Sequence, residues 1–434
     1  MSRVPSRSLG VSIAALTIVR LLGLASGFAV GVIGARLLDP DALGAAGIAV
    51  TIGTLAGLLS NGGVNIGTIL MLGRHPTRRG AVLQTGSVVA LVGSGTAAVV
   101  AVAVGASIGP AIQLPNRLDL WVVTAAVGVG IVGYEFGGSV LLGLGRNRAY
   151  TVTELVRPLS TLAATCILLV AWPYDWAFVL AAGVGYLIAA TWSQLANEIS
   201  ASTMRPRWHA DLVGGILQPG LRGQAGNIVQ FLNLRLDLLL IPIFIDLAAA
   251  GLYVVAVRLS EVITQAANAA GSLIFPAVAG GSQSSTELTE RTARLSLVGV
   301  LFAAALLAIL AEPIIAVAFG QQYAGSLGAV RVLSVAMVPL SLTRVLSADL
   351  KGRGRPGLVS IAMVGTLVIT VALDLLLIPR LGIEGAAIAS LVAYTASAVM
   401  LLIAFRSITS ARLRLLIPGR RDVLTLARLF RIRG

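Results

Sequence analysis

The sequence predicts an all-α membrane protein: a polytopic bundle of about 12 transmembrane helices, in two pseudo-symmetric six-helix halves around a central cavity. Three observations lead to this fold class. Of the 434 residues, 57% are hydrophobic and 12% are charged, about half the charged share of an ordinary soluble domain. The apolar runs exceed about 20 residues and do not alternate, which favours membrane helices over a barrel. Two segments of the first half also recur in the second half.

The spans follow from the apolar runs between short polar loops, which leave no room for a folded soluble domain. The first run, Leu9–Gly34, is too long for a signal-peptide core, so we interpret it as a retained helix. The predicted spans are roughly 9–34, 43–72, 81–112, 120–144, 152–172, 175–196, 213–244, 248–278, 294–318, 326–350, 357–378 and 383–405.

The internal repeat sets the domain organisation. The segment LDPDALGAAGIAV (38–50) aligns with IDLAAAGLYVVAV (245–257), and LLGLGRN (141–147) aligns with LKGRGRP (350–356). The two offsets, 207 and 209, nearly agree. Six spans per half make the repeat parallel, as in transporters that rock two bundles around a central site. We therefore expect bundles over 1–200 and 201–405, followed by a basic tail over 406–434.

The positive charges orient the bundle. With the N-terminus inside, the inner segments hold 22 Arg and Lys residues and the outer loops hold 3. The positive-inside rule then places both termini in the cytoplasm of a cell whose plasma membrane the chain crosses. The tail can lie on the anionic inner leaflet, and we expect no nucleic-acid partner.

Several motifs that resemble catalytic or binding signatures have simpler interpretations. GRGRPG (352–357) joins two spans instead of following a strand, so it indicates a tight turn and not a dinucleotide site. DPD (39–41) is typical of a helix start. Cys166 is the only cysteine, and His75 and His209 lie in different loops. We therefore predict no metal, no cofactor and no enzymatic activity.

Polar residues form stripes within the spans, where ionisable groups are costly and usually face a cavity or a partner. On the span 213–244, a face about 140° wide carries most of its polar groups, whereas Arg235 falls on the opposite side. A second stripe runs along the next span. The stripe residues are Arg222, Asn227, Gln230, Asn233 and Asp237, then Arg258, Glu261, Gln265 and Asn268.

Further polar candidates lie in other spans, namely Arg20, Asn61, Asn65, Glu135, Arg344 and Asp374. Two interpretations remain open for the whole set. The charges can form structural ion pairs between helices, for example Asp237 with Arg258, and Glu154 can pair with Arg157 one turn away. Alternatively, the surplus of arginine binds an anion such as a lipid diphosphate, since the guanidinium fork suits phosphate oxygens.

Three segments resemble the polysaccharide-transporter (oligosaccharide flippase) family, whose superfamily also holds multidrug exporters and lipid II flippases. They are ARLLDPDALGAAGIAVTIGTLAGLLSNGG (35–63), RLDLLLIPIFIDLAAAGLYVVAVRLSE (235–261), and ADLKGRGRPGLV with LDLLLIPRLGIEGAAIASLVAY (348–394). The resemblance implies alternating-access export of a lipid-linked oligosaccharide. VRLLG (19–23) is similar to an arginine motif of lipid II flippases, but this chain has fewer spans, which argues against lipid II as its substrate.

On this basis we expect Arg20 and Arg258 to contact the diphosphate. Substrate-binding candidates are Arg20, Arg258, Arg222, Asn61, Asn65, Asn227, Gln230, Asn233, Asp237, Glu261, Gln265, Asn268 and Arg344. Glu135, Asp237 and Glu261 would balance charge or couple transport to H⁺ or Na⁺. The expected partners are the lipid-linked oligosaccharide, membrane lipids and that ion, with the protein acting as a monomer.

Two other functions are weighed against export of a lipid-linked glycan. A cation-coupled drug exporter of the same superfamily should have a net acidic cavity, which the in-span arginines disfavour. A membrane glycosyltransferase or polymerase would need large outer loops with catalytic acids, and the predicted loops are short.

Overall fold

The computed structural model describes residues 6–114, 117–199, 203, 205–279 and 285–409, without the side chains of 6–18, 20, 265–273, 275–277, 279 and 285. These residues form an all-helical chain. The helices are α1 (Ser6–Leu37), α2 (Pro40–Ser60), α3 (Val64–Arg74), α4 (Arg79–Ile108), α5 (Leu118–Gly143), α6 (Asn147–Ala171), α7 (Asp175–Ala196), α8 (Ala210–Phe244), α9 (Leu247–Ala279), α10 (Ser285–Ile314), α11 (Leu327–Gly352) and α12 (Pro356–Thr409).

The helices have the length and composition of membrane spans, which confirms the predicted fold class. Ten stretches of the described chain are long and apolar enough to cross a bilayer. The 54 residues of α12 exceed twice the roughly 20 needed for one crossing. Its backbone is non-helical at Gly382, so it covers both spans predicted over 357–378 and 383–405. Large apolar side chains such as Ile167 and Ile309 are exposed, as expected for residues that face lipid.

The second predicted span differs from expectation, because it is two helices instead of one. α2 ends at Ser60 and α3 begins at Val64. Between them, Gly62 and Gly63 have φ values of 55° and 71°, which glycine adopts at little cost. The continuous apolar run over 43–72 concealed this break.

The chain forms two compact units that divide within α8. Unit 1 comprises Met1–Phe231 and Asp246–Gly251, and unit 2 comprises Leu232–Ile245 and Leu252–Gly434. A core cluster of unit 1 packs Leu83, Phe136 and Leu212 together, and one of unit 2 packs Met337 against Tyr394. The boundary expected near residue 200 stays a prediction.

Both repeated sequence segments adopt the same local structure in their two copies. Asp39 accepts a hydrogen bond of 2.8 Å from the Ala42 amide at the start of α2, and Asp246 accepts one of 2.7 Å from Ala249 at the start of α9. These are N-caps, in which a short acidic side chain binds an otherwise unpaired helical amide.

The second repeated segment is a tight turn in both copies. Gly145 has a φ of 74° and Gly354 has a φ of 73°. In both turns the residue after the glycine donates its amide to a carbonyl five residues earlier, at 2.8 Å and 2.9 Å. GRGRPG is therefore a helix-to-helix turn, as its sequence context predicts.

Candidate functional site

Unit 2 contains a small open cavity of about 40 Å³ whose wall is formed by α8, α9, α11 and α12. Its charged lining residues are Asp237 from α8, Glu261 from α9 and Arg344 from α11. Ser390 and Tyr394 of α12 add hydroxyl groups, and the rest of the wall is mainly aliphatic. The cavity therefore presents both signs of charge within an apolar shell.

Asp237 is the most constrained polar residue of this cavity. Its side chain is 4% exposed, and its Oδ2 accepts hydrogen bonds from the Tyr253 hydroxyl and, at 3.3 Å, from Ser390 Oγ. Its Oδ1 accepts a bond of 2.8 Å from the Leu238 amide. Three donors from three helices thus hold the carboxylate in one orientation.

Asp374 on α12 is the second buried acid of unit 2. It is 0% exposed, and among the described residues neither of its carboxylate oxygens has a hydrogen-bond partner. It interacts electrostatically with Asp237. One turn earlier on α12, the buried hydroxyl of Thr370 also has no partner in the described part of the chain. A desolvated carboxylate without a partner favours uptake of a proton or a monovalent cation.

Glu261, a candidate for substrate binding and charge balance, is held in an ion pair between helices. Arg235 donates a hydrogen bond of 2.7 Å to its Oε1, and the two side chains form an ion pair between α8 and α9. Arg235, which helical angles placed on the face opposite Asp237, thus supplies the countercharge of Glu261.

Asn233 connects α8 to α12 instead of lining the cavity of unit 2. Its side-chain Nδ2 donates to the Met363 carbonyl at 2.9 Å. Its main-chain carbonyl accepts a bond of 3.4 Å from the Tyr394 hydroxyl. The side chain is 8% exposed, and its Oδ1 has no partner among the described residues.

The polar residues near the start of α8, in unit 1, are more accessible. Arg222 and Asn227 are exposed and Gln230 is half-buried. Asn227 donates a bond of 3.1 Å to Gln224. Gln224, which is 2% exposed, in turn donates a bond of 2.8 Å to the Leu58 carbonyl beside the break between α2 and α3. The side-chain amide of Gln224 takes the place of the main-chain amide that would donate to the Leu58 carbonyl if α2 continued.

Glu135 and Asn65, both predicted, contact each other in unit 1. Asn65 Nδ2 donates to Glu135 Oε2 at 2.8 Å, joining α3 to α5. Asn61 at the helix break is 1% exposed, and neither its amide oxygen nor its amide nitrogen has a partner within the described residues. A transient polar ligand or a water could satisfy it.

Arg157 and Glu154 attract each other electrostatically, but no salt bridge of 4.0 Å or less joins them in the described residues. The Glu154 carboxylate accepts a hydrogen bond from the Tyr134 hydroxyl. The Arg157 guanidinium lies over the rings of Tyr134 and Tyr186, at 5.8 Å and 5.3 Å from their centroids. Two aromatic faces therefore stabilise this cation.

Three predicted residues lie outside the side chains that the structure describes: Arg20, Gln265 and Asn268. Arg258 of α9 is half-buried and interacts with a neighbour, so it is not a free cation. The polar candidates thus fall into separate groups, with Asp237, Glu261 and Arg344 together in unit 2 and Asn65 with Glu135 in unit 1.

Ser390, Tyr394 and Gln224 are site residues that sequence reasoning missed. Ser390, Tyr394 and Ser397 occur at i, i+4 and i+7 of the last span, so they share a helical face. This polar stripe could have identified the α12 wall of the cavity. No pattern signalled Gln224, because its partner is a carbonyl freed by the distant helix break.

Comparison with known proteins gives the family. Residues 33–328 match the family described as polysaccharide biosynthesis protein. The chain belongs to this family. No curated protein matches the sequence.

Solved structures share the fold of this polysaccharide biosynthesis protein. One is an inward-facing multidrug resistance MATE family transporter of the MOP superfamily, with a TM-score of 0.73 and 16% identity over 91% of this chain and 98% of that chain. Another is the lipid II flippase MurJ in an inward closed conformation, with a TM-score of 0.75 and 11% identity over 90% and 87% of the two chains.

A third solved structure is a MOP superfamily transporter from Pyrococcus furiosus, whose authors describe a binding pocket of reversed polarity that suggests a different function. Its TM-score is 0.61, with 17% identity over 92% of this chain and 96% of that chain. At these identities the likeness shows that this chain shares the fold of these structures.

Proposed function

We propose that this protein is a flippase that moves a polyprenyl-diphosphate-linked oligosaccharide from the cytoplasmic to the outer leaflet, for cell-surface polysaccharide assembly. One observation carries the proposal. A chain of the polysaccharide biosynthesis family has a membrane-embedded cavity that contains an arginine as well as acids. A diphosphate requires cations, whereas the sugar requires hydrogen-bonding groups.

The predicted polar residues then have distinct roles. Arg20 and Arg258 contact the diphosphate, and the accessible Arg222, Asn227 and Gln230 bind sugar hydroxyls. Asp237 and Asp374 take up the coupling ion, H⁺ or Na⁺, because both carboxylates are buried and a cation offsets the cost of burying a negative charge. Glu135, bonded to Asn65, is the charge-balancing acid of unit 1.

The orientation in the membrane, the oligomeric state and the absence of catalysis follow from the same proposal. The excess of Arg and Lys in alternate loops supports cytoplasmic N- and C-termini in the plasma membrane. Alternating access requires only the two halves of one chain, so the protein acts as a monomer among membrane lipids. Export of a finished glycolipid breaks no covalent bond, which agrees with a transporter and not an enzyme.

Depletion of the protein tests the proposal. We expect lipid-linked oligosaccharide to accumulate in the inner leaflet, measured by mass spectrometry of extracted lipids, and surface glycan to disappear. A plasmid copy should restore both. The variant with Arg20→Ala and Arg258→Ala should not, whereas Arg331→Ala, an exposed arginine of α11, should. Normal surface glycan in the double variant would show that Arg20 and Arg258 do not bind the diphosphate. Normal surface glycan after depletion would exclude the flippase function.

A cation-coupled drug exporter is the second candidate. The fold likeness to a multidrug resistance MATE transporter and the Asp237–Asp374 pair favour it. Drug susceptibility separates the two candidates: overexpression should raise the tolerated concentration of cationic drugs only if the protein exports them. Arg344 in the cavity opposes cationic substrates and favours anionic ones.

A further inference from the structure

Arg344 of α11 lines the cavity of unit 2, where it interacts electrostatically with Glu261 but forms no ion pair among the described residues. Among the residues that the structure describes, it makes no hydrogen bond and no ion pair, and its Nε is fully buried. A guanidinium carries five N–H donors, and burial is unfavourable for the Nε–H of Arg344, which has no acceptor among the described residues.

Both acids of the cavity wall are already engaged by other groups. Glu261 is bonded by Arg235 at 2.7 Å. Asp237 accepts bonds from Tyr253, Ser390 and the Leu238 amide. Arg344 therefore has no local carboxylate within ion-pair distance among the described residues, although Glu261 and Asp237 line the same cavity.

Three other described arginines of unit 2 differ in this respect. Arg235 has Glu261, Arg353 is bonded to Asp349 and Thr286, and Arg331 donates to the Ala308 carbonyl. A buried cation left without an anion costs more than the same group when paired. An anion that binds and leaves would offset this cost during each transport cycle.

We infer that Arg344 binds the diphosphate of the lipid-linked substrate, an inference that rests on the proposed function. The planar guanidinium offers two parallel N–H groups to two phosphate oxygens, which a point-like ammonium cannot do. The hydroxyl groups of Thr264, Ser390 and Tyr394 in the same wall already donate their protons to the Glu261 carbonyl, to Asp237 and to the Asn233 carbonyl, so the guanidinium is the donor to the bound anion.

The charge of Asp237 links this anion to the coupling ion. Asp237 lines the same cavity as Arg344, so its negative charge repels a bound diphosphate. Any change that neutralises Asp237 therefore strengthens anion binding, and by reciprocity the anion strengthens uptake of the neutralising ion. The cavity thus favours joint occupancy by cation and anion, in contrast to a site where the two compete.

Binding measured on the purified full-length chain tests the inference. The protein is placed in nanodiscs of neutral phosphatidylcholine and titrated with farnesyl diphosphate, a short polyprenyl diphosphate. Arg344→Gln should weaken binding by about 30-fold, because a buried charged hydrogen-bond partner is lost. Arg344→Lys should recover part of the affinity. Arg331→Gln, on the same helix but exposed, should bind like the wild type.

Two further arms identify the anion and its coupling. Farnesol, which lacks the diphosphate, should bind equally weakly to the wild type and Arg344→Gln. Phosphatidylglycerol added to the nanodiscs should not displace farnesyl diphosphate; displacement through Arg344 would assign the site to a phospholipid headgroup and overturn the inference. Asp237→Asn should raise the affinity for farnesyl diphosphate, because it removes the negative charge beside the anion. If Arg344→Gln fails to fold, this variant tests the inference instead, and an unchanged affinity would contradict it.

Equal binding by the wild type and a folded Arg344→Gln variant would overturn the inference. That result leaves the proposed function standing if depletion still causes lipid-linked oligosaccharide to accumulate. Conversely, loss of farnesyl diphosphate binding in Arg344→Gln, with normal surface glycan after depletion, would retain the anion site and reject the flippase function.

Discussion

The hydroxyl of Tyr253 on α9 donates a hydrogen bond to the carboxylate of Asp237 on α8, and both side chains are buried. This bond orients the acid that the cavity of unit 2 shares with Arg344. Ser390 reaches the same carboxylate oxygen from α12, so one acceptor connects three helices. Such networks respond as a unit when one donor is removed.

Replacing Tyr253 with Phe removes this donor and leaves the ring in place. A hydrogen bond to a charged group contributes about 2 kcal/mol, so we expect a lower thermal unfolding temperature of the purified protein. Tyr174→Phe is the matched control, because Tyr174 is exposed and its ring stacks on Trp176. An unfolding temperature equal to that of the wild type in Tyr253→Phe would show that Asp237 does not depend on this donor.

Replacing Asp374 with Asn should separate stability from coupling. The buried carboxylate has no hydrogen-bond partner in the described residues, so a neutral side chain of the same shape should not lower the unfolding temperature. Export of the lipid-linked glycan should lose its dependence on the H⁺ or Na⁺ gradient, because one of the two carboxylates is gone. The measurements are thermal unfolding and glycolipid export at varied gradients.

Asp246→Asn is the control for the preceding change. Asp246 is exposed and caps α9, and asparagine caps helices about as well as aspartate. Both stability and coupling should therefore persist. If glycolipid export by the Asp374→Asn variant still depended on the ion gradient, Asp374 would not belong to the ion site.

Local features of this fold were predictable from sequence, and the pairings across helices were not. The starts of α2 and α9 follow from Asp39 and Asp246, because a cap acts within one helical turn. The turns at Gly145 and Gly354 follow from glycine's access to positive φ. Such signals need no knowledge of distant residues.

The Arg235–Glu261 pair shows why the site was harder to predict. Helical angles place Arg235 and Asp237 on different faces of α8, but they do not say which neighbouring helix each face meets. A span that is buried on most sides can carry polar groups on two faces, each with its own partner. The same limit applies to Arg157, where two tyrosine rings contact the cation in addition to its electrostatic interaction with Glu154.

A double-mutant cycle on Arg235 and Glu261 measures their coupling. Each of Arg235→Gln and Glu261→Gln leaves one uncompensated charge, and the double variant leaves none, so the double variant should be more stable than additivity predicts. Because the side chains are 24% and 33% exposed, solvent screening reduces the expected coupling to about 1 kcal/mol. The exposed pair Arg78–Asp211 should show a smaller coupling, and strict additivity at Arg235 and Glu261 would mean that the pair is solvated.

Replacing Gly63 with Ala tests whether the break between α2 and α3 depends on close packing. Gly63 has a φ of 71°, and a Cβ there would lie 2.1 Å from the carbonyl carbon of Gly220 on α8. Neither backbone can yield as a flexible side chain would, so we expect a loss of roughly 3 kcal/mol or more in unfolding free energy.

Two other glycines separate the contributions to this loss. Gly145→Ala has a similar φ of 74° and open space around the added carbon, so it isolates a conformational cost of about 1 to 2 kcal/mol. Gly73→Ala in α3 meets no atom within 4 Å and has an ordinary φ, so it should be neutral or slightly stabilising. If Gly63→Ala lowers the unfolding temperature no more than Gly145→Ala does, left-handed strain alone accounts for Gly63 and the contact with Gly220 is dispensable.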